Sequence, residues 1–189
     1  MRERHKLDFY ATQSYITESL LQHLDIENKL VLECCAGEND ITDVIKKKNK
    51  VVTNDINKAV DKDYHLDAGK INLWSKLTYD NVFPDWVITN PPYKDAHLIL
   101  PNSFDACKEG CAFLLRISYL EPTQKNNPRG EWLKTYSDHL RYFMPINPRL
   151  KFRKDTTGSD SVTVAWMVWD KTFKWSDHNL KSPFQFLMY

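Results

Sequence analysis

The sequence predicts an α/β fold: a doubly wound, mostly parallel sheet of seven strands, with helices on both faces and an antiparallel last strand. Three observations carry this. The apolar run Lys29-Leu30-Val31-Leu32-Glu33 breaks into the small-residue turn Cys34-Cys35-Ala36-Gly37-Glu38-Asn39-Asp40 and then into an amphipathic stretch over 41–45, the pattern of strand, tight loop and helix start. A second run, Lys50-Val51-Val52-Thr53-Asn54, ends in Asp55 about 20 positions after the turn, the offset at which a carboxylate meets ribose hydroxyls in nucleotide-binding units. A third, Trp86-Val87-Ile88-Thr89, opens directly into Asn90-Pro91-Pro92-Tyr93.

The elements follow in order. A helix is expected over 14–24, then strands centred on Leu30, Val51, Leu66 and Val87 and an apolar strand over 112–117. The Leu66 strand, Tyr64-His65-Leu66-Asp67, would bring another carboxylate to the same sheet edge. Between Val87 and the 112–117 strand a helical stretch over 95–108 is expected to break at Pro101, with Gly110 as its stop. Residues 143–146 and 162–169 read as a closing antiparallel pair. Asn126, Asn127, Pro128, Arg129 and Gly130 read as a loop, as does 156–161.

Composition places few demands on this reading. The chain has 189 residues, 42% of them apolar, which suits a single domain over 1–189 with a sizeable core. No apolar run reaches about 18 residues and no secretory h-region is present, so a cytoplasmic setting without a membrane partner is expected. Cys34, Cys35, Cys107 and Cys111 lack zinc-ligand spacing, so no metal is expected and the cysteines read as reduced packing residues. A net charge of +1 is no basic footprint, which makes charge distribution the question. Lys46, Lys47 and Lys48 read as a solvated helix end. The stretch 125–154 interleaves Arg129, Lys134, Arg141, Arg149 and Arg153 with Trp132, Tyr136, Tyr142, Phe143 and Phe152. That mixture suits phosphate contacts with stacking at an extruded base, and equally suits plain packing.

The chemistry of Asn90-Pro91-Pro92-Tyr93 is specific. Two prolines fix their own backbone angles and offer no amide donors, so neighbouring carbonyls are presented outward. The Asn90 side-chain oxygen and the Pro91 carbonyl form a pair of acceptors followed by an aromatic ring. Such a site fits a planar group bearing an amine, its N–H bonds held by the acceptors and its face against Tyr93. An ordinary turn after a strand would use similar residues.

With these pieces in this order, the chain resembles the class I S-adenosyl-L-methionine-dependent methyltransferases, and among them the small phage and prophage-type DNA adenine-N6 methyltransferases, whose signature is (Asp/Asn/Ser)-Pro-Pro-(Tyr/Phe/Trp). The resemblance runs from about Asp8 to about Lys171, with 162–169 as the family's closing strand. It implies a Rossmann-like fold, S-adenosyl-L-methionine as cofactor, a nucleic-acid partner and transfer to a base flipped out of the duplex. It makes Asn90, Pro91, Pro92 and Tyr93 catalytic. Asp8-Phe9-Tyr10-Ala11-Thr12-Gln13 stands where the family has Phe/Tyr-x-Thr-Pro, so Tyr10 and Thr12 would touch the cofactor. Glu33, Cys35, Gly37 and Asn39 would form its glycine loop, Asp55 and Ile56 would meet its ribose, Asp67 its adenine, and Asn90 would also contact it. Tyr93, Lys94, Arg129, Trp132, Arg149 and Arg153 would bind substrate. Asn39 replaces a second glycine; Asn tolerates left-handed backbone angles, so the turn should survive with a less close approach to the cofactor.

The length leaves no room for a separate target-recognition domain, so recognition is expected from an insertion over 120–153 or from a partner chain. The same signature also serves methyltransferases of RNA bases and of protein glutamine, and a noncatalytic subunit of a methyltransferase complex remains a further alternative.

Overall fold

The computed structural model describes residues 11–121, 127–148 and 163–185. Its described residues form one six-stranded sheet in the order β2-β1-β3-β4-β6-β5. The strands are β1 (Leu30–Glu33), β2 (Lys50–Thr53), β3 (Trp86–Thr89), β4 (Gly110–Arg116), β5 (Leu140–Pro145) and β6 (Val164–Asp170). The first four pair in parallel, and β6 runs antiparallel between β4 and β5. The reversed last strand is as the sequence predicts.

Alternation along the strands builds two cores. Leu32, Val87, Phe113, Leu115, Met167 and Trp169 face α3 (Ile71–Tyr79), α4 (Ala96–Ala106) and α5 (Pro128–Thr135). The intervening residues Val31, Ile88, Leu114, Trp166 and Val168 face α1 (Ser14–Leu21) and α2 (Thr42–Ile45). α1 buries Ile16 and Leu20, one helical turn apart, and the Trp166 indole donates to the Ile16 carbonyl at 2.9 Å. α5 starts at Pro128, and the Asn127 side chain caps it by accepting from the Arg129 amide at 2.9 Å.

Five expectations are corrected. The sheet has six strands among the described residues, because Tyr64-His65-Leu66-Asp67 makes only an isolated bridge to Asn54. The buried Asn54 side chain replaces the missing ladder: its amide nitrogen donates to the Cys34 carbonyl (2.8 Å) and the Leu66 carbonyl (2.9 Å), and its oxygen accepts from the Leu66 amide (2.9 Å). Pro101 lies inside an unbroken α4; the carbonyl it leaves without an amide partner belongs to exposed His97, where water can take the bond. Gly110 begins β4 instead of ending a helix, since a Cβ there would lie 2.5 Å from the Trp169 carbonyl oxygen and 2.8 Å from the Trp86 ring. Pro128, Arg129 and Gly130 form the first turn of α5, not a loop, and α1 stops at Leu21 instead of Leu24. The 156–161 loop lies outside the described residues.

The sheet edge at the strands' N-terminal ends is tied by ordinary structural bonds. Asp85 accepts from the Leu30 amide at 2.8 Å, and Glu109 pairs with Lys29 and accepts from the Trp86 indole at 2.8 Å. Lys46, Lys47 and Lys48 sit exposed after α2, and Lys47 pairs with Glu18 at 3.1 Å. No helix among the described residues is long and apolar enough to cross a membrane.

Asn54→Ala would strand the buried Cys34 carbonyl and the half-buried carbonyl and amide of Leu66. It should lower stability by about 2–4 kcal/mol and the midpoint of thermal unfolding by roughly 5–15 °C; an unchanged melting curve by circular dichroism would remove Asn54 from this role.

Candidate active site

The chain crosses from β1 to β2 on one side and later returns to place β3 on the other. The crevice beyond the carboxyl ends of β1 and β3 is therefore a topological switch point, where open α/β sheets bind ligands. A cavity of ≈ 510 Å³ occupies it. Three walls come from segments that leave β1, β2 and β3: Glu33 to Gly37, then Asp55 to Asn57, then Asn90 to Pro92. The fourth is Leu66 to Lys70.

The β1 wall is a tight turn. Gly37 adopts φ 47° and Asn39 φ 71°, so the asparagine does hold the left-handed conformation in the place of a glycine. Asp55 closes this turn from β2. One carboxylate oxygen accepts from the Gly37 amide and the other from the Asn57 amide, each at 2.8 Å. Each oxygen retains acceptor capacity, because a carboxylate oxygen carries two lone pairs. Asn39 shapes the turn but does not line the cavity; its side-chain oxygen accepts from Lys62 at 2.8 Å.

Glu33 stands at the floor, 2% exposed. Burial holds its carboxyl well above the ordinary carboxylate range, opposed by the hydroxyl of Thr42, which donates to it from the start of α2. No cation pairs with it among the described residues. Cys35 also lines the cavity, and the adjoining Cys34 together with burial pushes its thiol well up, so it stays protonated. Ile56 lies at the cavity 55% exposed, and Asp67 accepts from the Gly69 amide at 3.0 Å while pairing with Lys70 at 3.6 Å.

The Asn90-Pro91-Pro92-Tyr93 segment leaves the fully buried β3 and enters α4. Thr12 fixes its first residue. The Asn90 amide nitrogen donates to Thr12 Oγ1 at 3.1 Å, while the Thr12 backbone amide donates to Asp40 at 2.9 Å. With its nitrogen toward Thr12, Asn90 carries its carbonyl oxygen on the other branch of the amide. The Pro92 carbonyl accepts from the Asp95 amide at 3.0 Å, whereas no donor among the described residues bonds to the carbonyl of buried Pro91.

Tyr93 and Lys94 border a second, smaller cavity of ≈ 210 Å³ with Leu115, Arg116, Ser118, Tyr119 and Arg129. The Arg116 guanidinium lies over the Tyr93 ring, 4.8 Å from its centroid, and Arg129 lies over Tyr119 at 5.2 Å. The two cavities differ in charge. The larger is bordered by Glu33, Glu38, Asp40, Asp55, Asp67 and Asp95 against two lysines, the smaller by Lys94, Arg116 and Arg129 with no acid.

Among the residues singled out from sequence, Thr12, Glu33, Cys35, Gly37, Asp55, Ile56, Asp67, Asn90, Pro91, Pro92 and Lys94 share the larger cavity, and Tyr93, Lys94 and Arg129 the smaller. Trp132 lines neither cavity: half-buried, it packs against Phe104, Tyr136 and Trp169 at centroid distances of 5.7, 5.0 and 5.4 Å. Tyr10, Arg149 and Arg153 lie outside the described residues. Sequence reasoning passed over Arg116, whose signal is a lone cation closing the apolar run of β4, and over Asp40 and Asn54, which carry no signal beyond polarity.

An S-adenosyl-L-methionine cofactor fits this set of residues by two observations: the buried Glu33 carboxylate has no cation partner among the described residues, and acids dominate a cavity built on a left-handed turn. By sequence, no family model and no curated relative matches the chain. By structure it is similar to a methyltransferase subunit of a type I restriction-modification system from Streptococcus thermophilus, with TM-score 0.61 and 11% identity over 88% of this chain and 45% of that one. It is also similar to a dimethyladenosine transferase from Plasmodium falciparum, with TM-score 0.56 and 14% identity over 87% of this chain and 64% of that one. A chain of the Mtq2 complex from E. cuniculi, responsible for methylation of the eRF1 translation termination factor, gives TM-score 0.52 and 16% identity over 90% and 98% of the two chains. At these identities the likeness is one of fold: the chain shares the Rossmann-like α/β architecture of these structures.

Proposed function

We propose that this protein is an S-adenosyl-L-methionine-dependent methyltransferase acting on the exocyclic N6 amine of adenine in DNA. The observation that carries the reading is the position of Asn90 in the acidic cavity, its amide turned by Thr12 and its backbone followed by two prolines, with Tyr93 of the same segment bordering the cationic cavity. When bound, S-adenosyl-L-methionine supplies an electrophilic methyl group on a sulfonium. Glu33 would hold the cofactor's amine, Asp55 its ribose and Asp67 its adenine, with Gly37, Ile56 and Thr12 bounding the site.

The chain's own contribution concerns the acceptor. An adenine amino nitrogen shares its lone pair with the ring and attacks poorly while planar. Hydrogen bonds from its two N–H groups to the Asn90 side-chain oxygen and the Pro91 carbonyl favour the tetrahedral form and stabilise positive charge on nitrogen during transfer. The rigid prolines fix both acceptors in advance, so little orientation entropy remains to be lost. A base in a duplex must leave its stack to reach them, and Tyr93 would replace the lost stacking. The same acceptors would serve an RNA base. A protein glutamine amide is the second reading, favoured by the fold likeness to the Mtq2 complex chain.

Transfer of labelled methyl from S-adenosyl-L-methionine to parallel duplex DNA, single-stranded DNA, RNA and protein separates these acceptors, and N6-methyladenine released from DNA is the expected product. Asn90→Ala should lower transfer at least about a hundredfold with cofactor affinity retained; equal loss of both would sink the assignment. Asp55→Ala should weaken cofactor binding about tenfold, measured by calorimetry. Because Asp55 also braces the Gly37 turn, Asp55→Asn is the companion variant, and an unchanged dissociation constant in both would take Asp55 away from the ribose.

Glu33 gives a pH signature. Its folded-state pKa is raised, so the native chain binds the proton more tightly than the unfolded one. The associated stability is complete below the ordinary carboxylate pKa of about 4.3 and is lost as pH rises toward the folded value. Glu33→Gln should therefore leave the cofactor-free protein at least as stable as the parent at neutral pH, flatten this pH dependence, and weaken cofactor binding. Thermal unfolding across pH checks the first two and calorimetry the third; a variant less stable at neutral pH would contradict the buried-charge account.

A further inference from the structure

The smaller cavity is not used by the cofactor or the amine. Its seven bordering residues include three cations and no acid. Arg116 and Arg129 make no ion pair among the described residues, and the Nε of each is buried without a hydrogen-bond partner there. A buried guanidinium N–H left without an acceptor is costly, and the costs of two such groups add up in one place. Their planes are already set, Arg116 over Tyr93 and Arg129 over Tyr119, and Arg129 is further held by an Nη2 bond to the Glu121 carbonyl at 3.1 Å. Two preoriented forks, with Lys94 and the Ser118 hydroxyl beside them, suit a tetrahedral anion with several acceptor oxygens.

We propose that this cavity is a phosphodiester subsite: Arg116 and Arg129 seize a backbone phosphate next to the acceptor nucleotide, and Arg116, stacked on Tyr93, couples that phosphate to the base-stacking residue. The inference rests on the methyltransferase reading and deepens it, because a phosphate seat beside the amine acceptors selects a nucleic-acid strand over a protein amide. Arg116 and Arg129 are positioning residues here, since they touch the strand and not the transferred group.

The test uses a fluorescent oligothymidylate containing one deoxyadenosine, with the phosphodiester on either side of that nucleotide replaced in turn by a neutral methylphosphonate. For the parent protein, one of the two replacements should weaken binding about tenfold. The double variant R116Q/R129Q should bind the unmodified strand more weakly by a similar factor, show a salt dependence shallower by about 0.7 for each lost contact, and no longer respond to the replacement. R116K/R129K keeps the charge and loses the fork, so it should retain the salt dependence while losing part of the response; this arm decides the matter if the glutamine variants fail a melting control. An equal response of the parent and R116Q/R129Q to both methylphosphonates, or no binding of the strand by the parent, would overturn the subsite. A subsite response without methyl transfer to any acceptor would support the phosphate seat while refuting the catalytic reading, so the two can fail separately.

Discussion

Asn54 is the constraint on which the candidate site depends. It is fully buried, and besides its three side-chain bonds its backbone amide donates to the Glu33 carbonyl and its carbonyl accepts from the Ala36 amide, each at 2.9 Å. One residue thus fixes the end of β1, the Cys34 turn, the end of β2 and the segment carrying Asp67. A true strand over 64–67 would provide the same fixation by a backbone ladder, which needs several residues in register. A single amide does it in one residue, because it mimics a peptide group in offering both a donor and an acceptor. The arrangement is economical but concentrated, since the bonds to buried Cys34, Glu33 and Ala36 are in the dry interior where an unmade one costs most.

Around that anchor, charge is sorted by position along the sheet edge. The carboxylates follow β1 and β2, the arginines close β4 and open α5, and Asn90-Pro91-Pro92-Tyr93 stands between them at the end of β3. The partition arises from the strand order: β3 lies between β1 and β4, so the segment leaving β3 must face one group on each side. In the proposed function this places a positively charged methyl donor and a negatively charged strand in fields of opposite sign, with a rigid neutral wall between. A net charge of +1 conceals the arrangement completely, because it averages two local excesses that nearly cancel.

The features legible in the sequence are those that depend on local pattern. The apolar runs of β1, β3 and β4 are continuous, as strands buried on both faces require, and Gly37, Asn39, Asp55 and the proline pair lie at strand ends where turn chemistry is local. The errors have tertiary causes. Leu66 reads as a strand, but its pairing partner is the Asn54 side chain. Gly110 reads as a helix stop, yet its lack of a side chain serves contact with Trp86 and the Trp169 backbone, far away in sequence. Trp132 reads equally as a stacking or a packing residue among cations; its half-buried ring packs against Phe104 and Trp169, and an aromatic at helical spacing carries the same pattern in either role. Arg116 is the converse case, a single cation whose meaning appears only when β4 brings it over Tyr93.

Glu33 connects stability with the proposed chemistry. A carboxylate buried at the floor of the main cavity, served among the described residues by one hydroxyl and no cation, weakens the fold at any pH where it is ionised. Replacing it with an apolar residue would remove that cost, so packing alone does not explain a carboxylate there. A ligand bringing an ammonium group would offset the desolvation and add a charge-assisted hydrogen bond in a site of low dielectric, where such a bond is strongest. The penalty in the free protein and the affinity for a cationic ligand are then two faces of one electrostatic imbalance. Thr42 is its hinge: by donating to Glu33 from the first turn of α2 it fixes the carboxylate's orientation before any ligand arrives, while leaving its charge uncompensated.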